Sequence, residues 1–598
     1  MDLYENVDFH STLLANIIID TYFNETTGCL FVFTDVGRYF DYRGNRSKVI
    51  FTADNGTINS ELVFNQFGCS GFIVYSDNPR TLFENLEENI RYSDERYNTR
   101  RYLFVPLNGA AENALTIFES RYVQFVADIV GIIQSNRTKN VLSFDIITHR
   151  YVGREHHDQV EILDTWFANN KTFSIGNYLY PNKLKNQLGR TLRLGTIVYH
   201  PFTDVDTTDG IDWYSIKELV KKLNTTYEIV KENKESSSWF GQVHPNFTGD
   251  GLFGNLAEDR IDIGFGALYQ WDDFHHYMDY SQPSVQTTVT CLVPRPQMLG
   301  GWLTPFIAFS GPIWIALGLI VLISIPSLYF TLAWDRLKRF KSIKVKSIEL
   351  LLDSTLQTQA MYVNQSVGYI PENFSSRLVF ASILTMSLIL GSIYDSGLAS
   401  NMTIPRYYGI IRTAKDMVDN KLPWGGADPE YIYSLANSQS ATPREMVKLF
   451  ILENEEELRA RNDEKWFAYG IERLPEGNFV VIDYITAEGV KIRKALEEPL
   501  YTGYTVFSAR KSSVLLPYMD DVILRSAQAG LISKWEYEAV EKYSVVNILK
   551  ILKDNDPSHV MGPTKLKLSH VEGGFYILII GLLISTFCFI VEVLIHKI

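Results

Sequence analysis

Three long apolar runs constrain this chain more than any other feature. From Trp302 to Trp334 there is no charged side chain, and the centre reads IWIALGLIVLISI. Residues 378–394 read LVFASILTMSLILGSIY and then meet Asp395. Residues 573–591 read GGFYILIIGLLISTFCFIV and stop at Glu592. About 20 apolar residues cross the hydrocarbon of a bilayer, so each run is predicted to span a membrane. The alternative for each is a buried helix in a large soluble core. The mean hydropathy of −0.05 conceals the runs because the apolar residues are concentrated in them.

The flanks set an orientation. Arg336, Lys338, Arg339, Lys341, Lys344 and Lys346 come directly after the first run. Such a cluster belongs on the cytoplasmic side. The N-terminus and 396–570 are then outside, and 335–377 and the C-terminal tail inside, in a multi-pass plasma-membrane protein. An inverted topology is the alternative, and the basic cluster opposes it. Sequons at Asn24, Asn45, Asn55, Asn136, Asn170, Asn224, Asn246 and Asn401 fall outside and are candidate glycosylation sites. Sequons at Asn364 and Asn373 fall inside. An outside N-terminus needs a signal peptide, but MDLYENVDF is acidic and the apolar stretch 13–19 is short. The expectation is that the true N-terminal end lies upstream.

Around the runs, the remainder of the 598 residues reads as α/β. TLRLGTIV and RIDIGFGAL have strand patterning, and IDWYSIKELVKKL has apolar residues at helical spacing. After the second run, LLPYMDDVILRSAQAGLISKWEYEAV reads as an amphipathic helix pair. Two α/β pieces interrupted by a membrane insertion predict one split, two-lobed domain that closes on small molecules. The net charge of −13 argues against a nucleic-acid partner. Four scattered cysteines give neither a disulfide-dense scaffold nor a structural metal site, though Cys29 and Cys69 are a candidate disulfide outside the cell. No nucleophile elbow, Walker loop, dinucleotide fingerprint or chelating histidine pair is present, so neither enzyme, cofactor nor metal is predicted.

The segment between the first two runs, SIELLLDSTLQTQAMYVNQSVGYI, is too polar to span. It reads either as a cytoplasmic amphipathic helix or as a re-entrant loop that lines water. The residues after it carry a more specific signal. Pro371, then Ser375, Ser376 and Arg377, then Tyr394-Asp395-Ser396-Gly397-Leu398-Ala399 and Thr403 run in step, without a gap, with a pore loop and a Y-T-A-N-L-A-A-F-L-T-like gate. Gly573, Gly574, Gly581, Ser585 and Glu592 match a last helix, and MDYSQP resembles I-D-F-S-K-P. Over roughly 186–598 the chain resembles the ionotropic glutamate receptor superfamily and, within it, the divergent insect-type chemosensory ionotropic receptors.

The resemblance implies a multi-domain membrane protein. It would have an α/β N-terminal region (1–185), a split two-lobed ligand domain of periplasmic-binding-protein-like form (186–300 and 404–570), and an α-helical pore domain. The pore domain would hold three transmembrane helices and a re-entrant loop (301–403), with the last helix and cytoplasmic tail at 571–598. It implies Asn364 and Gln365 at the selectivity position and Tyr394, Asp395, Leu398, Ala399 and Thr403 at the gate. Asp395 reads either as an acid at the outer pore mouth or as a residue past the membrane edge. In the ligand cleft, the family arginine that grips a carboxylate is replaced by Phe274. The helix turn that holds the second carboxylate reads Gly425-Gly426-Ala427-Asp428-Pro429, and Asp428 is predicted as an N-cap that repels anions. Asp483 is the candidate partner of a ligand amine and Phe202 the aromatic over the ligand. The second lobe lacks the cysteine pair common in glutamate-gated relatives.

The expected function is a subunit of a ligand-gated cation channel that tunes the stimulus in smell or taste and does not bind glutamate. It would assemble with co-receptor subunits, as a tetramer, in membrane lipid, and pass monovalent cations, with divalent ones an open point. Alternatives are a thermo- or humidity-sensing subunit with no small-molecule ligand, and a non-conducting membrane receptor.

Overall fold

The computed structural model describes residues 2–23, 28–53, 68–107, 111–137, 141–155, 158–230, 240–298, 301–339, 347–368, 371, 373–403, 407–543, 546–554, 568 and 571–596. They form two compact units: Met1–Val293 with Arg412–Lys553, and Pro294–Ile411 with Asp554–Ile598.

The first unit contains two sheets. The N-terminal sheet has eight strands in the order Lys48–Ala53, Leu30–Asp35, Gly71–Ser76, Arg101–Pro106, Asp128–Gln134, Ser143–His149, Val160–Phe167 and Thr172–Phe173. The first five are parallel and the last three antiparallel. Neighbours along a strand face opposite sides, so Ile73 and Tyr75 enter one core while Phe72 and Val74 enter the other. The helix Asp2–Tyr22 covers the first face with Leu14, Ala15, Ile18 and Ile19, so the apolar stretch 13–19 is a core helix face. The helix Pro79–Tyr92 covers the second with Leu82, Phe83, Leu86 and Ile90. Cys29 and Cys69 are disulfide-bonded.

The second sheet builds the two predicted lobes. Its main path runs Thr226–Ile229, Thr191–Thr196, Ile263–Tyr269, Tyr501–Arg510, Gln286–Pro294, Ala468–Arg473, Trp424–Gly426 and Phe450–Leu452. Strands are parallel at each end, while the long strands Gln286–Pro294 and Tyr501–Arg510 are antiparallel in the middle. The helices Ile211–Leu223 and Leu516–Gln528 cover the first lobe, and Leu531–Tyr543 comes directly after as the second half of the predicted pair.

A buried polar network ties the N-terminal sheet to the first lobe. Arg100 makes a bidentate pair with Glu87 at 2.7 and 2.8 Å and donates to the Ser512 carbonyl at 2.6 Å. The Ser512 amide in turn donates to Asp279, the aspartate of MDYSQP, at 2.7 Å.

The second unit holds three helices long and apolar enough to cross a membrane: Gly311–Trp334, Phe374–Thr403 and Glu572–Ile595. Two boundaries differ from the sequence reading. The charge-free run from Trp302 is broken into a short helix, Thr304–Ile307, and the span proper, which begins at Gly311. Pro312 has no amide with which to continue the ladder from the preceding helix, and the Ser310 carbonyl restarts it by accepting from Ile313 and Trp314. The second helix does not end at Asp395 but continues to Thr403.

The segment 347–370 forms a helix, Ser347–Tyr362, packed between the first two spans through Leu328, Leu332, Leu350, Met361, Phe380 and Ile383. The Tyr362 hydroxyl meets Ser324 at 3.0 Å and Ser387 donates to the Met361 carbonyl at 2.7 Å. Both serines lie near the middle of their spans, so the end of this helix sits at mid-span depth. That is the re-entrant arrangement and not a helix lying on the cytoplasmic face.

Removing one side of the buried Arg100–Glu87 pair strands the other charge. Arg100→Ala is expected to lower stability by about 3–5 kcal/mol, measured as the chemical denaturation midpoint of the purified chain.

Candidate ligand cleft and pore

Between the two lobes lies a cavity of about 30 Å³, walled by Tyr199, Phe240, Tyr269, Trp271, Tyr431 and Tyr501 with Asp428, Glu430 and Glu472. Local backbone geometry sets each wall. Tyr199 sits at a turn closed by its own amide on the Thr203 carbonyl at 2.9 Å. The strand Ile263–Tyr269 bulges between Gly264 and Leu268, with Ala267 at φ 56°, and the bulge turns Ala267 and Tyr269 to the cavity. Asp212 holds the bulge by accepting from the Ala267 amide at 3.0 Å, and burial raises its carboxyl to about 7. Tyr431 follows the strand Trp424–Gly426, and an added Cβ at Gly426 would come within 2.9 Å of its ring.

Glu472 is the acid that joins the lobes. It projects from the second-lobe strand Ala468–Arg473, is only 4% exposed, and its Oε1 accepts from the first-lobe Tyr199 hydroxyl at 2.9 Å. Burial pushes its carboxyl up to about 7, with the Tyr199 and Tyr269 hydroxyls pulling the other way. Oε2 makes no hydrogen bond of normal geometry among the described residues. Burial holds the phenols of Tyr199, Tyr269 and Tyr431 well above their ordinary value, so they stay neutral. No lysine, arginine or histidine stands among the lining residues.

Of the four ligand-contact residues expected from sequence, only Asp428 is on this wall. It does not occupy the N-cap position: Pro429 does, and Asp428 precedes it, buried. Asp483 is exposed and away from the cavity, because its neighbours Tyr484 and Ile485 take the second-lobe core. Phe202 is buried behind the wall, stacked on Tyr199 with ring centroids 6.0 Å apart. Phe274 packs on Phe253 at 4.3 Å and sits behind Trp271. The sequence reading missed Glu472 altogether. Its signal was a lone acid at the end of the apolar strand AYGIER.

In the pore unit, the Ser347–Tyr362 helix ends with Asn364 in the left-handed region at φ 56°. Asn364 and Gln365 are both exposed at the tip, and the Asn364 amide lies over Gly391 of the second span. Arg377 ties the loop back by donating to the Pro371 carbonyl at 2.8 Å. The Tyr394 hydroxyl donates to the Pro305 carbonyl at 3.1 Å, and its ring meets Phe309 at 5.4 Å. A Cβ at Gly397 would come within 2.8 Å of the Ala308 carbonyl, and one at Gly573 within 2.5 Å of that of Trp302. The two glycines therefore let the second and third spans approach the segment around Thr304–Ile307. Asp395 and Ala399 are exposed on the same helix, Leu398 is half-buried, and Thr403 is its last residue. The stretches leading into the first span and out of the second pair with each other, Gln297 with Tyr408 and Met298 with Tyr407.

Among the sequons, Asn45, Asn136, Asn170, Asn224 and Asn246 are exposed, while Asn401 lies in the last turn of the second span. Asn24 and Asn55 lie outside the described residues.

Residues 310–582 match the ligand-gated ion channel family. Delta-2 ionotropic glutamate receptors of Danio rerio and Homo sapiens are each 24% identical over 315 and 319 residues, covering 51% of this chain and 30% and 31% of theirs. A glutamate receptor of Lymnaea stagnalis is 23% identical over 443 residues, 67% of this chain and 45% of its own. Over these stretches the chain is similar to ionotropic glutamate receptors. The matched stretch spans less than a third of the delta-2 relatives' length.

The raised Glu472 carboxyl sets a pH signature. Folding costs nothing at this residue below about pH 4.5, where both states are protonated. The penalty grows between 4.5 and about 7 and is complete above that. Glu472→Gln keeps an acceptor for Tyr199 and removes the charge. It is expected to stabilise the chain by about 3 kcal/mol at pH 8 and to leave it unchanged at pH 4, read from denaturation midpoints.

Proposed function

We propose that this chain is a stimulus-tuning subunit of a cation channel of the chemosensory ionotropic receptor type, acting in smell or taste and not gated by glutamate. The observation that carries the reading is the pore unit: a re-entrant helix ending at mid-span depth with Asn364 and Gln365 at its tip. A receptor that merely anchors a ligand domain has no use for an exposed amide pair held there, and amides and carbonyls at such a tip replace an ion's hydration shell. Closure of the two lobes pulls on the paired linkers at Gln297–Met298 and Tyr407–Tyr408, which lead into the spans that carry Tyr394, Asp395, Leu398, Ala399 and Thr403. The stimulus acts by favouring the closed lobes over the open ones.

The last helix supports an assembly. None of the most apolar window of Glu572–Ile595 is buried within the chain, so its faces are left for lipid and for other subunits. We infer a tetramer with co-receptor subunits in the plasma membrane, N-terminus outside and C-terminus inside. The exposed Asn45, Asn136, Asn170, Asn224 and Asn246 would carry glycans there.

The test is whole-cell current in a host cell, with this chain expressed alone and with a co-receptor subunit, under chemical panels and temperature steps. A stimulus-gated cation current is expected, with divalent permeability reduced in Asn364→Arg. Surface-expressed protein that gives no current in any pairing would instead assign a non-conducting receptor.

A further inference from the structure

A second cavity, of about 460 Å³, lies where the N-terminal sheet meets the first lobe, and it shares no lining residue with the cleft. Arg101 and Asp128 reach it from the starts of two paired strands of the N-terminal sheet. Lys183 and Leu184 reach it from the stretch that joins the sheet to the lobe. The lobe itself contributes Lys222 from Ile211–Leu223, and Pro517, Tyr518 and Asp521 from Leu516–Gln528.

The charges around this cavity do not balance. Its lining cations are Arg100, Arg101, Lys183 and Lys222, and its acids are Asp128 and Asp521. Glu87 already neutralises Arg100. Arg101 pairs with Asp128 at 3.0 Å. Lys222 pairs with Asp521, which Arg525 also holds at 2.9 Å. That leaves the half-buried Lys183. Its ammonium donates to the Ala127 carbonyl at 3.0 Å, the Thr148 hydroxyl at 2.7 Å and the His149 carbonyl at 2.8 Å. These acceptors are neutral, and among the described residues no carboxylate lies within ion-pair distance of it. Burial lowers the ammonium to about 8, with Asp128 and Glu161 pulling the other way, so it is mostly charged at pH 7. A cation held by neutral oxygens lacks its counter-ion, and a carboxylate that displaces one carbonyl makes a stronger, charge-assisted bond.

Size and lining narrow the guest. The volume falls in the range of about 300–1,000 Å³ typical of small-molecule sites. An inorganic anion would leave most of it to water, at about 30 Å³ per molecule. Leu184, Val514, Pro517 and the rings of Tyr180 and Tyr518 offer apolar wall to a body the size of a ring. A single uncompensated charge suits a monoanion. A phosphate monoester would bring a charge of about −1.5 to −2, and the excess would face Asp128 and Asp521.

We propose that this cavity is a second ligand site, separate from the cleft, for an organic monocarboxylate with a ring-sized apolar body, and that Lys183 is its counter-ion. Its walls come from both the N-terminal sheet and the first lobe, so an occupant clamps the two together. The site does not depend on the channel reading above.

The experiment is a thermal-stability titration of the purified full chain in detergent at pH 7, with sodium 3-phenylpropionate as the probe. Sodium chloride at equal ionic strength, sodium acetate, 3-phenylpropionamide and phenyl phosphate are the comparisons. Wild type is expected to give a saturable rise in midpoint with 3-phenylpropionate alone. Half-effect should fall on the order of 1 mM, as suits a ligand of about eleven non-hydrogen atoms. Lys183→Gln removes the charge and keeps an amide donor, and it should weaken binding by about tenfold or more. Thr99 is exposed at the rim of the cavity and touches none of the Lys183 bonds. Thr99→Trp fills the space from that rim and should abolish the rise, and it decides the matter if Lys183→Gln does not fold. No rise with 3-phenylpropionate, or a rise that survives Thr99→Trp or persists undiminished in folded Lys183→Gln, would overturn the proposal. So would an equal rise with sodium chloride, acetate, the neutral amide or the phosphate.

Discussion

The antiparallel pairing of Gln286–Pro294 with Tyr501–Arg510 is the constraint on which the rest depends. The first strand is made before the chain enters the first two membrane-spanning helices and the second long after it leaves them, ahead of the third. Tyr501–Arg510 also pairs with Ile263–Tyr269 and Met278–Tyr280. Neither lobe is therefore complete until the chain has returned from the pore unit. Loop-closure entropy makes such distant pairing costly. The apolar faces of both lobes offset that cost, with Leu194, Phe265 and Phe507 meeting in one core and Leu292, Tyr469 and Ile471 in the other. The same two strands run from one lobe into the other, so they are also where the lobes must flex.

The cleft is shaped by its backbone. The bulge at Ala267, the turn at Tyr199 and the glycine at 426 are backbone features that bring four phenols and an indole to one small space. Aromatic rings are large and lose few rotamers on ordering, so they fill the cleft at low entropic cost. Placing Glu472 among them makes its charge expensive, which is why its carboxyl rises to about 7.

The pore unit obeys a different rule. Backbone that is not helical cannot face lipid, so the turn at Asn364 exists only because the first and second spans enclose the helix before it. Ser324 and Ser387 supply the polar contacts at that depth. Small residues do the rest: Gly397 and Gly573 permit approaches to carbonyl oxygens that a side chain would block.

The sequence by itself determined the three spans and the split α/β architecture. Each is carried by local composition or periodicity, which needs no partner to be legible. The helices Ile211–Leu223, Leu516–Gln528 and Leu531–Tyr543 were readable for the same reason. Motif order made the pore loop legible too, since Pro371, Arg377 and Tyr394 keep their spacing along one chain. Only the tertiary structure decided which side chains meet in the cleft. Tyr199, Trp271, Tyr431 and Glu472 are far apart in sequence, and strand register and turn geometry bring them together. Asp483, near Glu472 in sequence, was the more conspicuous acid, yet it faces outward because Tyr484 beside it is drawn into the core. A charge in a strand announces itself in the sequence, but its burial is a property of everything packed around it.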